Sequence, residues 1–364
     1  MPAGLHKKLQ EMSSRGPGWL DASKRSEDEV VISTTAALTR NLLGYNFPLN
    51  SNDTELEKIL DRTWSVCSSL EELSDSLMVP FKDLSWEDRN FLLDRHLIGP
   101  AMLEIDRPAG LAFEAGEKFS LTINDDDHIR MRRVEAGLAS QEVWGFLEGI
   151  DDRLGGELPY AYRKPFGFLT ASPTNLGTGL RISILVHLPA LVLTNEVEKV
   201  LRHATQHGVQ IQGVHGESSS VYGNFFQVSN QLTFGRSEID ILNSLDRVAS
   251  LLVDHESDAR STLWREARVQ LEDKIYRSLG LLRSARVLAI RECMNLLSAV
   301  RLGVNIGVLK SVQNSRLDEL MILTQPSHLD RRERRVLDPS ERDILRAEVV
   351  RSRIDVTGGN GSNE

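Results

Sequence analysis

The stretch from residue 110 to 235 constrains the fold more than any other part of the chain. It holds short runs rich in β-branched and aromatic residues, separated by connections that are mostly brief. Residues 111–113 and 119–123 are joined by Glu114-Ala115-Gly116-Glu117 alone, which is short enough for antiparallel pairing. Further strand candidates fall at 166–170, 181–187, 209–214 and 225–231, with helical spacing at 133–150 and 191–207 between them. The pattern predicts an α+β fold, an antiparallel sheet flanked by helices, rather than a doubly wound one.

Beyond residue 236 apolar residues recur at helical spacing through 236–256, 259–278, 281–298 and 300–311, with Gly280, Gly303 and Gly307 as punctuation. A last helix is expected from Pro339 to about Ile354. Upstream, Val30 to Ile32 reads as a short strand, and 53–78 and 85–97 read as helices. Between them lies Ser33 to Asn41, STTAALTRN, which reads as a strand end, a polar cap and then helix or loop, with Arg40 its one charge. The expected division is a flexible leader (1–27), an α+β domain (28–256), a helical domain (257–355) and a disordered tail (356–364).

At 364 residues the chain can bury a full core, and its net charge of −9 argues against general nucleic-acid binding. No apolar run is long enough for a bilayer, and the first thirty residues lack a secretory h-region. Cys67 and Cys293 are too few for a disulfide framework or a four-ligand zinc site, so a cytoplasmic protein without a metal centre of its own is expected.

Three loops carry candidate chemistry. Asn124-Asp125-Asp126-Asp127-His128-Ile129-Arg130 ends a strand with three successive carboxylates, which repel one another unless solvated or cation-bound; the spacing is not that of an EF-hand. Ser172-Pro173-Thr174-Asn175-Leu176-Gly177-Thr178-Gly179-Leu180-Arg181 lets backbone approach a ligand, and Arg181 could hold a phosphate or carboxylate; the P-loop ending is absent. The third, residues 213–220, is a flexible loop with one carboxylate, Glu217. The basic runs at 128–133 and 331–335 read, by themselves, as solvated faces.

In this order, and followed by GNFFQVSNQ at 223–231, the three loops resemble the ATP:guanido phosphotransferases (phosphagen kinases), and among them the bacterial protein-arginine kinases. DRHLI at 94–98, HLPALVLT at 187–194, YRS at 276–278, VRLG at 300–303 and LMILTQP at 320–326 support the narrower resemblance, which spans about residues 18–355. It implies transfer of the γ-phosphoryl of ATP, with Mg²⁺, to arginine side chains of proteins. A guanidinium is always protonated and a poor nucleophile, so carboxylates must grip it and accept a proton.

By the resemblance, Asp126 and Glu217 are the catalytic carboxylates and Ser172 opens the guanidinium loop. Arg130 and Arg181 hold phosphates, and His96 lines the nucleotide site. The ATP-binding stretches correspond to Ser33, Thr34, Thr35, Ala36 and Ala37; to Ile182, Ser183, Ile184 and Leu185; and to Gln212, Gly213, Val214, His215 and Gly216. Thr35, Ala37 and Gln212 stand where the family carries phosphate arginines, each contact being worth roughly 1.5–3 kcal/mol. These replacements open a second reading: a catalytically weak or inactive relative that binds phosphoarginine proteins or regulates a partner kinase. Arg342-Asp343-Ile344-Leu345-Arg346-Ala347 matches the family's Arg-Asp-x-x-Arg-Ala motif, which implies an allosteric phosphoarginine pocket in which Arg342, Asp343, Arg346 and Ala347 take part. Arg342 and Arg346, at i and i+4, would share one helix face. The implied partners are a second copy of the chain, a zinc-binding activator protein and a Clp chaperone–protease.

Overall fold

The computed structural model describes residues 3–20, 30–213 and 221–355. The elements run α1 (Ala3–Met12), β1 (Val31–Arg40), α2 (Asp53–Ser69), β2 (Leu77–Pro80), α3 (Trp86–Asp94), β3 (Gly110–Phe113), β4 (Phe119–Ile123) and β5 (Ile129–Ala136). There follow α4 (Ser140–Glu157), β6 (Tyr162–Arg163), β7 (Gly167–Phe168), β8 (Leu180–His187), α5 (Pro189–Leu193), α6 (Val197–Thr205), β9 (Val209–Gly213) and β10 (Phe225–Asn230). The remainder is helical: α7 (Glu238–Glu266), α8 (Arg268–Ser284), α9 (Ile290–Asn305), α10 (Asn314–Leu323), α11 (Pro326–Glu333) and α12 (Pro339–Arg353).

Eight strands form one antiparallel sheet in the order β2-β3-β4-β5-β1-β8-β10-β9, as the short connections require. Period-two alternation gives each strand an apolar face toward one layer of helices. Ala36 and Leu38 of β1, Met131 of β5 and Ile182 and Ile184 of β8 pack there against Leu56 and Ile59 of α2, Val143 and Leu147 of α4, and Leu242 and Leu245 of α7. On the opposite side Ile32, Val134 and Phe225 meet the core of α8–α12, together with Trp19.

Several elements depart from the sequence expectation. The leader contains α1, whose Leu5, Leu9 and Met12 are fully buried beside Phe81 and Phe91. STTAALTR is the body of β1 rather than a cap and helix; it lies mid-sheet between β5 and β8, so both its faces are covered and no alternation is visible. The expected helix at 53–78 stops at Ser69 and yields to β2, and the one at 133–150 begins only at Ser140 because β5 continues to Ala136. Helix α7 runs unbroken past Glu256, the expected domain boundary. Gly280 and Gly303 lie inside α8 and α9, not between helices. A Cβ on Gly303 would come within 2.4 Å of Ile275 Cγ2, so this glycine permits close packing of α9 on α8.

Candidate active site

The polar faces of five adjacent strands line one cleft of about 530 Å³. They contribute Ser120 and Thr122 (β4), Arg130 and Arg132 (β5), Ser33, Thr35 and Ala37 (β1), Arg181, Ser183 and Leu185 (β8) and Gln227 (β10). Trp19, His96, Leu97, Ile98, Met321 and Ile322 line it as well. Strand alternation therefore splits the expected nucleotide stretches. Ser33, Thr35, Ala37, Ser183 and Leu185 reach the cleft, whereas Ala36, Ile182 and Ile184 turn into the core. Thr34 is also turned away: its hydroxyl donates to Gly137 O (2.7 Å) and accepts from Ala139 N (3.0 Å), fixing the turn into α4.

Three guanidiniums converge on this cleft. Arg130 lies 3.9 Å from the Asp125 carboxylate. Arg181 is half-buried, and burial first, then Arg130, push its pKa down. Arg132 donates to the carbonyl of His96, a residue held at φ +62° whose ring tilts against Trp19 at 5.6 Å. From the sequence alone Arg132, Arg133 and Lys118 are equal candidates to compensate for the arginines missing at Thr35, Ala37 and Gln212. Only the register separates them: Arg133 points to the other face, against Phe146 and paired with Glu114 (3.2 Å) and Glu135 (2.5 Å), and Lys118 pairs with Glu135 (2.8 Å).

The acidic loop sorts its three carboxylates by burial. Asn124 opens it at φ +58° and donates its amide to Leu56 O and Pro108 O. Asp125 is buried at the cleft wall, and Asp127 is buried on the far side, accepting from Asn41 Nδ2 (2.5 Å) and Ala171 N (2.6 Å). Desolvation raises both carboxyl pKa values. His128 accepts from Leu42 N at Nδ1 (3.0 Å) and meets Asn46 O at Nε2 (2.8 Å), which fixes a neutral ring protonated at Nε2. Asp126 alone is exposed, at the tip of a loop pinned on both sides. It is the carboxylate of the three that can meet an incoming group.

Asp127 also ties this loop to the next one, since Ala171 immediately precedes Ser172. Ser172 is half-buried, its hydroxyl 2.8 Å from that of Thr174. Downstream, Gly179 has φ +69°, and a Cβ there would lie 2.6 Å from both Arg40 Nη1 and Thr39 O. Arg40, the one arginine of STTAALTRN, is thus no phosphate ligand. It is buried, forked onto Asp151 (2.6–3.2 Å), bonded to the carbonyls of Thr39 and Thr178, and stacked 3.6 Å over the Phe168 ring. Gln212 lies exposed on the edge strand β9, opposite Gln227. Val214, His215, Gly216 and Glu217 lie outside the described residues.

The Arg-Asp-x-x-Arg-Ala motif opens α12. Arg342 pairs with Asp330 (2.6 Å) and lines a second cavity of about 730 Å³ with Asp88, Arg331 and Arg335. Arg346 does not share that position. It is buried and holds Thr324 O (3.0 Å), Leu288 O (2.8 Å) and the Asp343 carboxylate (2.5 Å), while Ala347 is in the core. The expected common face for a phosphate is therefore not formed; Arg346 orients Asp343 and ties α12 to its neighbours.

Cys67 and Cys293 are both buried, their thiols pushed up to about 12 by desolvation, so neither is a reactive thiolate. Among the described residues no cluster of three His, Cys, Asp or Glu could hold a metal, and no helix is long and apolar enough to cross a membrane.

Residues 58–259 match the model of the ATP:guanido phosphotransferase C-terminal catalytic domain, and residues 268–364 match that of the protein-arginine kinase McsB C-terminal domain. The chain is 39% identical over 340 residues to a protein-arginine kinase of Desulforamulus reducens, covering 93% of this chain and 95% of that one. It is 35% identical over 333 residues to the protein-arginine kinase of Bacillus subtilis, covering 91% and 92%. Among solved structures, a lombricine kinase matches with a TM-score of 0.58 at 21% identity, over 66% of this chain and 71% of that one. A duplicated taurocyamine kinase from Schistosoma mansoni, with bound transition-state-analogue components, matches with a TM-score of 0.57 at 21% identity, over 72% and 38%. The chain belongs to the ATP:guanido phosphotransferase family, in its protein-arginine kinase branch.

Proposed function

We propose that this protein transfers the γ-phosphoryl group of ATP to the guanidinium of arginine side chains in proteins. One observation carries the reading: a cleft with three converging guanidiniums, bordered by a loop that exposes Asp126 while burying the carboxylates on either side. Phosphoryl transfer depends on positioning and on cations that neutralise the phosphate oxygens, and Arg130 and Arg181 supply such charge here. The apolar lining around Trp19, Ile98 and Ile322 suits the base. Mg²⁺, bound with the nucleotide, would neutralise further phosphate charge. Asp126 and Glu217 grip the substrate guanidinium, and one of them takes its proton as the nitrogen–phosphorus bond forms. The bond from the γ-phosphorus to the ADP oxygen breaks, and ADP leaves with the electron pair.

The remaining assignments are proposals that family membership supports. They are a catalytic unit at 28–256, a helical unit at 257–355 that binds phosphoarginine and dimerises, a zinc-binding activator, delivery of substrates to a Clp chaperone–protease, and a cytoplasmic site of action. Arg342 and Asp343 are the proposed phosphoarginine contacts, with Arg346 supporting Asp343 from behind.

Thr35, Ala37 and Gln212, lacking guanidiniums at the cleft and the sheet edge, favour the second reading of a weak or inactive relative. Titration with Mg·ATP, paired with a phosphoarginine-transfer assay and a Glu217→Ala control, decides between the two. Glu217-dependent transfer is the expected result. Nucleotide binding without transfer by the wild-type chain would establish the second reading instead.

A further inference from the structure

Each arginine that the fold buries among the described residues has a carboxylate partner: Arg40 with Asp151, Arg95 with Glu117, Arg260 with Glu256, Arg301 with Asp318 and Arg346 with Asp343. This is the ordinary condition for a guanidinium out of water. Arg132 breaks it. Its Nε is buried without a hydrogen-bond partner, and among the described residues the side chain forms no ion pair, only the bond to the His96 carbonyl. Its nearest charged influence is another cation, Arg130, which adds to burial in pushing the Arg132 pKa down to about 10. The acids at the cleft wall do not neutralise it. Asp318 is committed to Arg301, Asp94 accepts from Ser327 (2.5 Å), and Asp125 faces Arg130.

A guanidinium set in the cleft wall beside a second cation, Arg130, and given no carboxylate leaves a place for an anion. Position agrees. In the antiparallel register Arg132 lies opposite Ala37 on β1, and Arg181 lies opposite the same Ala37 from the other side. Ala37 is too small to fill the space between them. We propose that Arg132 is a phosphate-binding residue of the cleft, gripping the nucleotide phosphates with Arg130 and Arg181 and supplying from β5 the cation that β1 lacks at Ala37. This rests on reading the cleft as a nucleotide site.

Calorimetric titration with Mg·ATP, and separately with adenosine, tests it. Arg132→Gln is expected to weaken Mg·ATP binding at least tenfold and leave adenosine binding unchanged. Arg132→Lys should recover part of the loss, and Ala37→Arg added to Arg132→Gln should recover more, because it returns a guanidinium to the same row. Wild-type affinity in Arg132→Gln would overturn the proposal. Should Arg132→Gln fail to fold, Ala37→Glu decides: it leaves Arg132 in place but gives it a carboxylate, and unaltered Mg·ATP affinity would again overturn the idea. If wild type binds Mg·ATP through Arg132 yet transfers nothing to arginine, the phosphate grip stands and the kinase reading falls. If wild type binds neither Mg·ATP nor inorganic tripolyphosphate, the phosphate grip itself is refuted.

Discussion

Arg132 of β5 and Arg181 of β8 stand in one cross-strand row, separated by Ala37, which pairs with both. Neighbouring strands lie about 4.8 Å apart, so an anion lying across Ala37 can meet both guanidiniums. Arg132→Gln and Arg181→Gln are therefore expected to be non-additive in Mg·ATP affinity. A coupling energy between about 0.5 and 3 kcal/mol is expected from a double-mutant cycle. Additive losses would show that the two side chains do not share a ligand.

Asp126 and Asp127 are neighbours with opposite roles. Asp126→Asn is expected to lower phosphoryl transfer by about a hundredfold or more while leaving the unfolding midpoint where it was. Asp127→Ala strands the Ala171 N–H and the Asn41 amide, costing about 1–3 kcal/mol of stability and loosening the loop that carries Ser172. Thermal melts beside transfer assays separate the two. Equal stability losses would remove the distinction drawn from their burial.

Arg40 holds β1 to α4 through Asp151 and to the 177–179 loop through Thr178. Removing one partner of a buried pair leaves the other charge uncompensated. Arg40→Ala should cost about 3–5 kcal/mol, seen as a lower denaturant midpoint, and Asp151→Asn together with it should cost less than the sum of the two single changes.

Three histidines are held neutral by the fold. Burial depresses the pKa of His128, and it holds His187 and His328 well below the ordinary range, reinforced by Arg301 and Arg260 around His187 and by Arg95 and Arg331 around His328. The unfolded chain protonates these rings as pH falls through about 6.5, whereas the native His187 and His328 resist it. These two therefore each remove about 1.36 kcal/mol of stability per pH unit below that point, and His128 acts in the same direction until its own folded value is reached. Asp94, Asp125, Asp127 and Glu256, whose pKa values burial raises, act in the opposite sense, adding stability as pH falls through their folded values. Comparing His328→Leu with wild type from about pH 7.5 to 5 isolates one histidine. The variant should lose stability less steeply; an unchanged slope would mean that His328 takes up its proton in the native protein as it does in the unfolded chain.

The two motif arginines of α12 should also part company. Arg346→Ala leaves the carbonyls of Thr324 and Leu288 without their donor and the Asp343 carboxylate unpaired, and is expected to cost about 3–5 kcal/mol. Arg342→Ala, at a partly exposed pair, should cost about 1 kcal/mol at most yet weaken binding of a phosphoarginine peptide. Equal peptide binding by Arg342→Ala and wild type would remove Arg342 from that role.

Most of the sheet was legible because period-two alternation and short connections are local signals, as in β3, β4, β8 and β10. β1 and β5 were misread for one reason: both lie mid-sheet, where one face is core and the other lines a cleft, so alternation no longer tracks polarity. In β5 Arg130, Arg132 and Val134 share the cleft side while Met131 and Arg133 share the other, so neither face is uniformly apolar. The loops of the site could be found from their order along the chain. The direction of Arg132 could not, because it depends on which face of β5 the register turns to the cleft. Nor could the burial of Arg346, since an i,i+4 spacing says which residues share a helix face but not what covers it.

The two-faced burial of β1 has a consequence for how such a gene can vary. Within Val31–Arg40 the phosphate-facing letters and the core-facing letters are interleaved, so either set can be rewritten without touching the other. Inserting or deleting a single codon is another matter. It would exchange the two sets wholesale, turning Ala36 and Leu38 to the nucleotide and driving Thr35 into the core. This segment can drift in spelling, as Thr35 and Ala37 show, but it is locked in length.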